Sequence, residues 1–128
     1  MAASSIVLLS LMIGWLLLHD DAHATEQRLR LHLGGQTKVQ LQENPSTGYK
    51  WQIDRANSSN LAIVRIADDG FASNARGTGK RLVGAPGIHR WTIEALSLGD
   101  ARISFIYLRS WERAPVRRHE LVVQVAPP

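Results

Sequence analysis

The sequence contains no cysteine, and that absence excludes several classes of protein. Without a thiol the chain has no disulfide, no thiolate metal site, no cysteine nucleophile and no cysteine for lipid attachment. If the domain is exported, packing alone must stabilise it. That is more typical of a bacterial periplasmic or secreted module than of a small animal domain held together by disulfides.

Catalytic and cofactor motifs are also scarce. Beyond residue 24 the histidines are His32, His89 and His119, which fall on separate predicted strands without the spacing of a metal site. No Gly-x-Ser-x-Gly elbow occurs, and residues 77–80 (Gly-Thr-Gly-Lys) lack the upstream glycine of a phosphate-binding loop. Spacing alone leaves a serine triad open, because the order of its members varies. We predict that the chain is not an enzyme and needs no cofactor or metal.

Long apolar runs are limited to residues 6–18, which are followed by the small-x-small triplet Ala22-His23-Ala24. This layout predicts a secretory signal peptide that is cleaved after Ala24. The alternative is a membrane anchor, but spanning a bilayer takes about 20 apolar residues. We therefore predict a single mature domain, residues 25–128, that is periplasmic or secreted and has no membrane contact after cleavage.

Acidic residues are outnumbered, with 11 Asp and Glu against 15 Lys and Arg and a net charge of +4. Removing residues 1–24 removes Asp20 and Asp21 and no basic residue, which raises the net charge from +4 to +6. The basic residues are spread along the chain, whereas a nucleic-acid binder usually concentrates them in a stripe with aromatics. The charge therefore indicates a solvated surface and no nucleic-acid partner.

Period-2 alternation of apolar and polar residues dominates the mature chain, and no 3.6-residue helical period is convincing. Seven runs predict strands: 28–33, 38–42, 49–54, 61–66, 90–95, 101–108 and 120–125, with 80–83 as a possible short eighth. This pattern predicts an all-β fold, an immunoglobulin-like antiparallel β-sandwich of about seven to eight strands. We expect Trp51 and Trp91 in its core.

The segment between Ile66 and Trp91 is rich in turn residues. Asp68-Asp69-Gly70 predicts a solvated turn, and Gly84-Ala85-Pro86-Gly87 predicts a second, constrained one. A connection this long in a small sandwich is often functional.

Residues 44–49, Asn44-Pro45-Ser46-Thr47-Gly48-Tyr49, lie between two predicted strands. Pro45 fixes its own φ, Gly48 provides positive φ at little cost, and the Asn44 side chain can form an Asx-type turn with the following backbone. We expect a rigid polar wedge suited to insertion into a partner's cleft, although these residues also suit an ordinary β-turn.

Arg109-Ser110-Trp111 follows the longest predicted strand. A Trp beside Arg at a strand end is poorly placed for the core, and both residue types are enriched in binding hot spots. The alternative is that Trp111 folds back over the end of the sandwich with an arginine stacked on it.

In this order, residues 44–49, 84–87 and 109–111 resemble the three loops of the chagasin-type inhibitors of cysteine peptidases. The family signature is Asn-Pro-Thr-Thr-Gly-Tyr, then Gly-x-Gly-Gly, then Arg-Pro-Trp or Arg-Pro-Phe. This chain differs at three positions, with Ser46 for Thr, Pro86 for Gly and Ser110 for Pro. The resemblance covers essentially the whole mature chain.

The resemblance implies a monomeric, reversible, tight-binding inhibitor of papain-family cysteine peptidases. Residues 44–49 would enter the catalytic cleft with Thr47 nearest the catalytic residues, and 84–87 and 109–111 would clamp either side. Arg109 and Trp111 would supply rim contacts, and the Thr47 hydroxyl would find a hydrogen-bond partner in the complex. The alternative is a periplasmic or surface immunoglobulin-like adhesion or assembly module without inhibitory activity, in which all three loops are structural turns.

Overall fold

A computed structural model describes residues 23–73 and 86–128. Within these ranges the chain forms seven strands and three single-turn 3₁₀ helices. The strands are β1 (His23–His32), β2 (Gln36–Glu43), β3 (Tyr49–Ile53), β4 (Val64–Ser73), β5 (Gly87–Ala95), β6 (Gly99–Arg109) and β7 (Arg117–Ala126). The 3₁₀ helices are Pro45–Thr47, Arg55–Asn57 and Leu61–Ile63.

The strands form two sheets, one with the order β1-β7-β6-β3 and one with the order β2-β5-β4. Neighbours run antiparallel except β1 and β7, which are parallel. The predicted immunoglobulin-like β-sandwich is confirmed. The parallel pair could not be foreseen, because alternation shows which face of a strand is buried and not which way its neighbour runs.

The core lies between the sheets and is built from the inward residues of alternating positions. Trp91 is 2% exposed and meets Phe105 edge-to-face, with ring centroids 4.8 Å apart. Trp51 is 8% exposed and stacks on Tyr107 at 4.8 Å. The prediction that both tryptophans belong to the core is therefore confirmed.

The predicted solvated turn at Asp68-Asp69-Gly70 is wrong, because these residues lie within β4. They form a β-bulge against β5, with Gly70 at φ +84° and its N–H bonded to the Asp68 carboxylate at 2.8 Å. Glycine and short polar residues occur in both turns and bulges. Both can require a positive φ and a side chain that bonds to the nearby backbone. The possible strand 80–83 lies outside the described residues.

The predicted signal peptide also lies outside the described residues, except for His23 and Ala24, which open β1. In the described part of the chain, no helix is both long and apolar enough to span a bilayer.

Candidate functional site

The described parts of the three predicted loops converge at one end of the sandwich. Glu43, just before the first loop, is the register partner of Gly87, which closes the second. Tyr49, at the end of the first loop, is the register partner of Arg109, which begins the third. Gly84 and Ala85 lie outside the described residues. Strand register therefore places the third loop and the described end of the second loop beside residues 44–49.

The first loop is a single helical turn that closes on itself. Asn44 O accepts from the Thr47 N–H at 3.2 Å and from the Thr47 hydroxyl at 2.7 Å, and Pro45 O accepts from the Gly48 N–H at 3.0 Å. Gly48 has φ +83°, the left-handed conformation that favours glycine. The turn is thus wound by its own backbone and by one side chain.

The predicted Asx turn at Asn44 is wrong. Its side-chain oxygen accepts from the Ser46 hydroxyl at 2.5 Å, and the side chain makes no capping bond to the backbone. Asn44 is the N-cap residue, with extended backbone at φ −125° and ψ 90°, and from that position its side chain bonds the Ser46 hydroxyl and no backbone N–H.

Two inward-facing side chains hold the wedge from below, and neither was expected from the sequence patterns. The Tyr107 hydroxyl accepts from the Asn44 N–H at 3.0 Å. The Glu43 carboxylate accepts from the Trp51 N–H at 2.9 Å, and the Trp51 indole N–H donates to Gln42 O at 2.8 Å. Both legs of the wedge, the end of β2 and the start of β3, are therefore linked to each other.

A sequence signal for Glu43 did exist. Val39 and Leu41 occupy the inward positions of β2, and Glu43 continues that alternation in place of an apolar residue. In the folded chain Glu43 is 4% exposed. A charged residue at an inward position needs a partner when buried, so its place directly before the wedge could have indicated a supporting role.

Trp111 lies against the wedge while most of its side chain remains exposed, at 70%. A Cβ atom placed on Gly48 would lie 3.1 Å from the Trp111 ring. The indole therefore covers the glycine closely, and it is available to a partner on its other side. Ser110 is exposed beside it.

Arg109 joins the first loop to the third. Its Nε donates to Thr47 O at 3.0 Å, and its guanidinium lies 4.3 Å from the Tyr49 ring centroid and 5.6 Å from that of Trp111. It also pairs with Glu112 at 3.6 Å. The alternative prediction for Trp111 is therefore right about the arginine over its ring, although the ring itself remains exposed. The Arg109 guanidinium already has partners within the free protein.

The rings beneath this junction are stacked in sequence. Tyr49 stacks on Tyr107 at 5.2 Å, Tyr107 stacks on Trp51, and Arg117 lies 5.9 Å from the Tyr107 ring. Each cation–π contact at a partly exposed site contributes about 0.5–1 kcal/mol. This ladder gives the wedge a stiff base.

A shallow groove of about 410 Å³ runs beside the wedge. Asn44, Thr47, Pro86, Val116 and Arg117 are among its lining residues. Among the described residues no group of three or more His, Asp or Glu is placed to hold a metal ion. The arrangement is suited to docking: a stiff polar projection flanked by an aromatic ring and a groove.

The sequence profile of the chagasin family of peptidase inhibitors, group I42, matches residues 30–125. Amoebiasin-2 from Entamoeba histolytica is 30% identical over 98 residues, which are 77% of this chain and 72% of that protein.

Solved structures show the same fold. The crystal structure of EhICP2, a cysteine protease inhibitor from Entamoeba histolytica, has a TM-score of 0.63 and 27% identity, covering 84% of this chain and 91% of its own. PbICP-C, solved in complex with falcipain-2, has a TM-score of 0.58 and 16% identity over 85% of this chain and 92% of its own. The second likeness concerns the fold alone.

Proposed function

This chain belongs to the chagasin family of peptidase inhibitors, and we propose that it blocks papain-class cysteine peptidases by inserting residues 44–49 into the catalytic cleft. The family consists of inhibitors rather than enzymes, and its function is cysteine peptidase inhibition. Residues 84–87 and 109–111 flank the wedge and contact the cleft on either side. The binding is reversible and tight.

The observation that carries this proposal is the bracing of the wedge in the free protein. Tyr107 holds its first residue, Arg109 holds the carbonyl of Thr47, and Trp111 covers Gly48. Ordering a loop at an interface costs about 0.5–1.5 kcal/mol for each side chain that is immobilised. A wedge that is already ordered avoids much of that cost, so more of its contact energy contributes to affinity.

The same bracing explains how the wedge resists cleavage. A peptide bond is cut only when it reaches a near-attack geometry against the nucleophile. Thr47 is the last residue of the closed helical turn. Its N–H, hydroxyl and carbonyl oxygen are all hydrogen-bonded within the chain. The Thr47 hydroxyl donates internally but retains lone pairs, and we propose that it accepts a hydrogen bond from the peptidase.

The partner class is supported by the family and by the inhibitor PbICP-C, whose structure contains falcipain-2. We propose that this domain acts as a monomer and makes no membrane contact once its leader is removed. The competing hypothesis, an adhesion or assembly module, requires the three loops to be structural turns only. The exposed indole of Trp111 beside Arg109 favours the inhibitor, because Trp and Arg are among the side chains most enriched in binding hot spots.

Titrating papain and cathepsin L with the mature domain tests the proposal. We expect inhibition at nanomolar inhibitor concentrations, full recovery of activity on dilution, and an uncleaved inhibitor chain on mass spectrometry. Absence of inhibition at micromolar concentration, with a correctly folded domain, would favour the adhesion module.

We further propose that the domain is exported to the periplasm or beyond, with cleavage after Ala24. The support is the leader-like apolar run and the lack of cysteine. Cleavage there leaves Thr25 in place, and its hydroxyl lies 2.6 Å from His119 Nδ1 in β7. Expression with the native leader should yield exported protein whose N-terminal residue is Thr25, and retention of residues 1–24 would contradict this proposal.

A further inference from the structure

A buried carboxylate lies directly under the wedge. Glu43 is 4% exposed, and its Oε2 both accepts from the Trp51 N–H at 2.9 Å and lies 3.0 Å from His89 Nδ1. Burying a carboxylate is costly unless it is paired and hydrogen-bonded. Nothing in the proposed contact with a peptidase uses Glu43, so its place needs another explanation.

His89 connects this carboxylate to a second one. Its Nε2 lies 2.6 Å from Asp68 Oδ1, and its ring stacks flat on Trp91 with centroids 4.0 Å apart and planes 5° from parallel. The His89 ring thus lies within hydrogen-bonding distance of a carboxylate at each of its two nitrogens. We call these three side chains the Glu43–His89–Asp68 network, and stacking on Trp91 fixes its central ring against the core.

The Glu43–His89–Asp68 network joins all three strands of one sheet, β2, β5 and β4. Glu43 is the last residue of β2 and leads into the first loop, and His89 lies two residues after Gly87, where the second loop ends. Asp68 belongs to the bulge of β4, which precedes the second loop. Glu43 and His89 thus lie close to where their strands meet a loop, and Asp68 holds His89 from the middle of β4.

We propose that Glu43, His89 and Asp68 are positioning residues that hold the first and second loops in their inhibitory arrangement. Glu43 fixes both legs of the wedge through Trp51, and His89 fixes Glu43 relative to the strand that follows the second loop. The inference rests on the proposed function and deepens it, because it identifies what sets the spacing of two loops that must enter one cleft. A misplacement of about 1 Å is enough to weaken such a fit markedly.

The test uses conservative variants and a matched control. Glu43→Gln keeps an acceptor for the Trp51 N–H but removes the carboxylate, and His89→Gln removes the imidazole ring that joins the two carboxylates. The control is Glu94→Gln, which breaks a pair of the same length, 3.0 Å to Arg65, in the same sheet but between an exposed arginine and a glutamate more exposed than Glu43. Stopped-flow kinetics with cathepsin L give the association and dissociation rates, and urea titration gives the free energy of unfolding.

We expect Glu43→Gln and His89→Gln each to raise the dissociation rate about tenfold, equivalent to about 1.4 kcal/mol. The double variant should be no worse than either single variant, because both remove the same link. Association rates should change little, and Glu94→Gln should dissociate within about twofold of the unmodified domain. A merely structural role would lower the free energy of unfolding without this non-additive effect on dissociation.

If folded Glu43→Gln and His89→Gln dissociate at the rate of the unmodified domain, or if their effects simply add, the positioning role is overturned while the proposed function stands. Failure of the unmodified domain to inhibit would instead overturn the proposed function and this inference with it. If Glu43→Gln does not fold, Asp68→Asn decides, since the Asp68 side chain is 60% exposed and tolerates exchange. An unchanged dissociation rate in Asp68→Asn would then overturn the proposal, and an increase would support it.

Discussion

Gly48 meets two separate demands at the tip of the wedge. Its backbone lies at φ +83°, where residues with a side chain are strained, and its missing Cβ makes room for the Trp111 ring. Gly34, in the turn between β1 and β2, has nearly the same φ of +82°, but a Cβ added there would meet nothing within 4 Å. A substitution at Gly34 therefore introduces backbone strain alone, whereas the same substitution at Gly48 also introduces a clash with the third loop.

Gly48→Ala and Gly34→Ala should both lower the free energy of unfolding by about 1–2 kcal/mol, the cost of a left-handed residue with a side chain. Only Gly48→Ala should also weaken inhibition, by about tenfold or more, equivalent to about 1.4 kcal/mol. Urea unfolding and inhibition constants measure the two effects. Equal inhibition by both variants would show that the covering of Gly48 by Trp111 has no part in binding.

Trp111 is a large exposed side chain that lies against the wedge. Because it is exposed, we expect its removal to affect binding more than the free energy of unfolding. A tryptophan that anchors an interface typically contributes about 2 kcal/mol or more to binding. A substitution at a side chain that is 70% exposed usually changes the free energy of unfolding by less than about 0.5 kcal/mol.

Trp111→Ala should therefore accelerate dissociation from the peptidase by roughly thirtyfold, equivalent to about 2 kcal/mol, and slow association much less. Leu98→Ala is the control, since Leu98 is 53% exposed at the opposite end of the sandwich. Surface-binding kinetics resolve both rates. A variant whose association slows more than its dissociation accelerates would argue against an anchoring role.

At the scale of elements, the edge strand β1 is attached to β7 through a buried histidine. His119 Nδ1 lies 2.6 Å from the Thr25 hydroxyl, and Nε2 lies 3.1 Å from the Gln27 side-chain oxygen. Burial lowers the pKa of the His119 imidazole below its ordinary value of 6.5, although the neighbouring Glu120 acts in the opposite direction. The folded state therefore favours the neutral ring.

Because the folded pKa is depressed, the unfolded chain binds more protons at this site and stability falls as the pH falls. The contribution of neutral His119 should be fully present above pH 6.5 and lost progressively as the pH drops through the folded pKa. Urea unfolding between about pH 7.5 and about pH 5 should show this loss, and His119→Gln should reduce it. An equal pH dependence in both proteins would exclude His119 as its source.

Most strands and their buried faces could be predicted from alternation, and the core positions of Trp51 and Trp91 follow from the same pattern. The predicted strand 61–66 is only partly right, because Leu61–Ile63 forms a 3₁₀ helix and β4 spans Val64–Ser73. The Asp68–Gly70 bulge could not, because a bulge and a turn need the same residue types and differ only in whether the chain continues beside its neighbour. The parallel pairing of β1 was hidden for a similar reason: pairing direction is a property of two strands and not of either sequence.

At the site, the first loop could be predicted because Pro45 and Gly48 restrict the backbone locally. The supports from Tyr107 and Arg109 could not, since they join residues 63 and 62 positions apart. Arg109 was expected as a rim contact, and its bond to Thr47 adds an internal role that no local pattern contains.

For the molecule as a whole, the candidate site lies at one end of the sandwich and short turns lie at the other. One end collects the wedge, the described part of the second loop and the Arg109–Trp111 loop, and each of the last two is joined to the wedge. The opposite end carries the short turn that contains Gly34 and the turn after β5. A disulfide-free sandwich with a buried aromatic core therefore holds the first loop, the third loop and the described end of the second at one end of the molecule.

The central claim is that this braced end occupies a peptidase cleft. It is tested most directly by comparing binding to cathepsin L with its cleft free and with its cleft filled by a covalently attached peptide inhibitor. The account predicts nanomolar binding to the free enzyme and loss of binding to the blocked enzyme. Equal affinity for both forms would show that the domain binds elsewhere and would contradict the account.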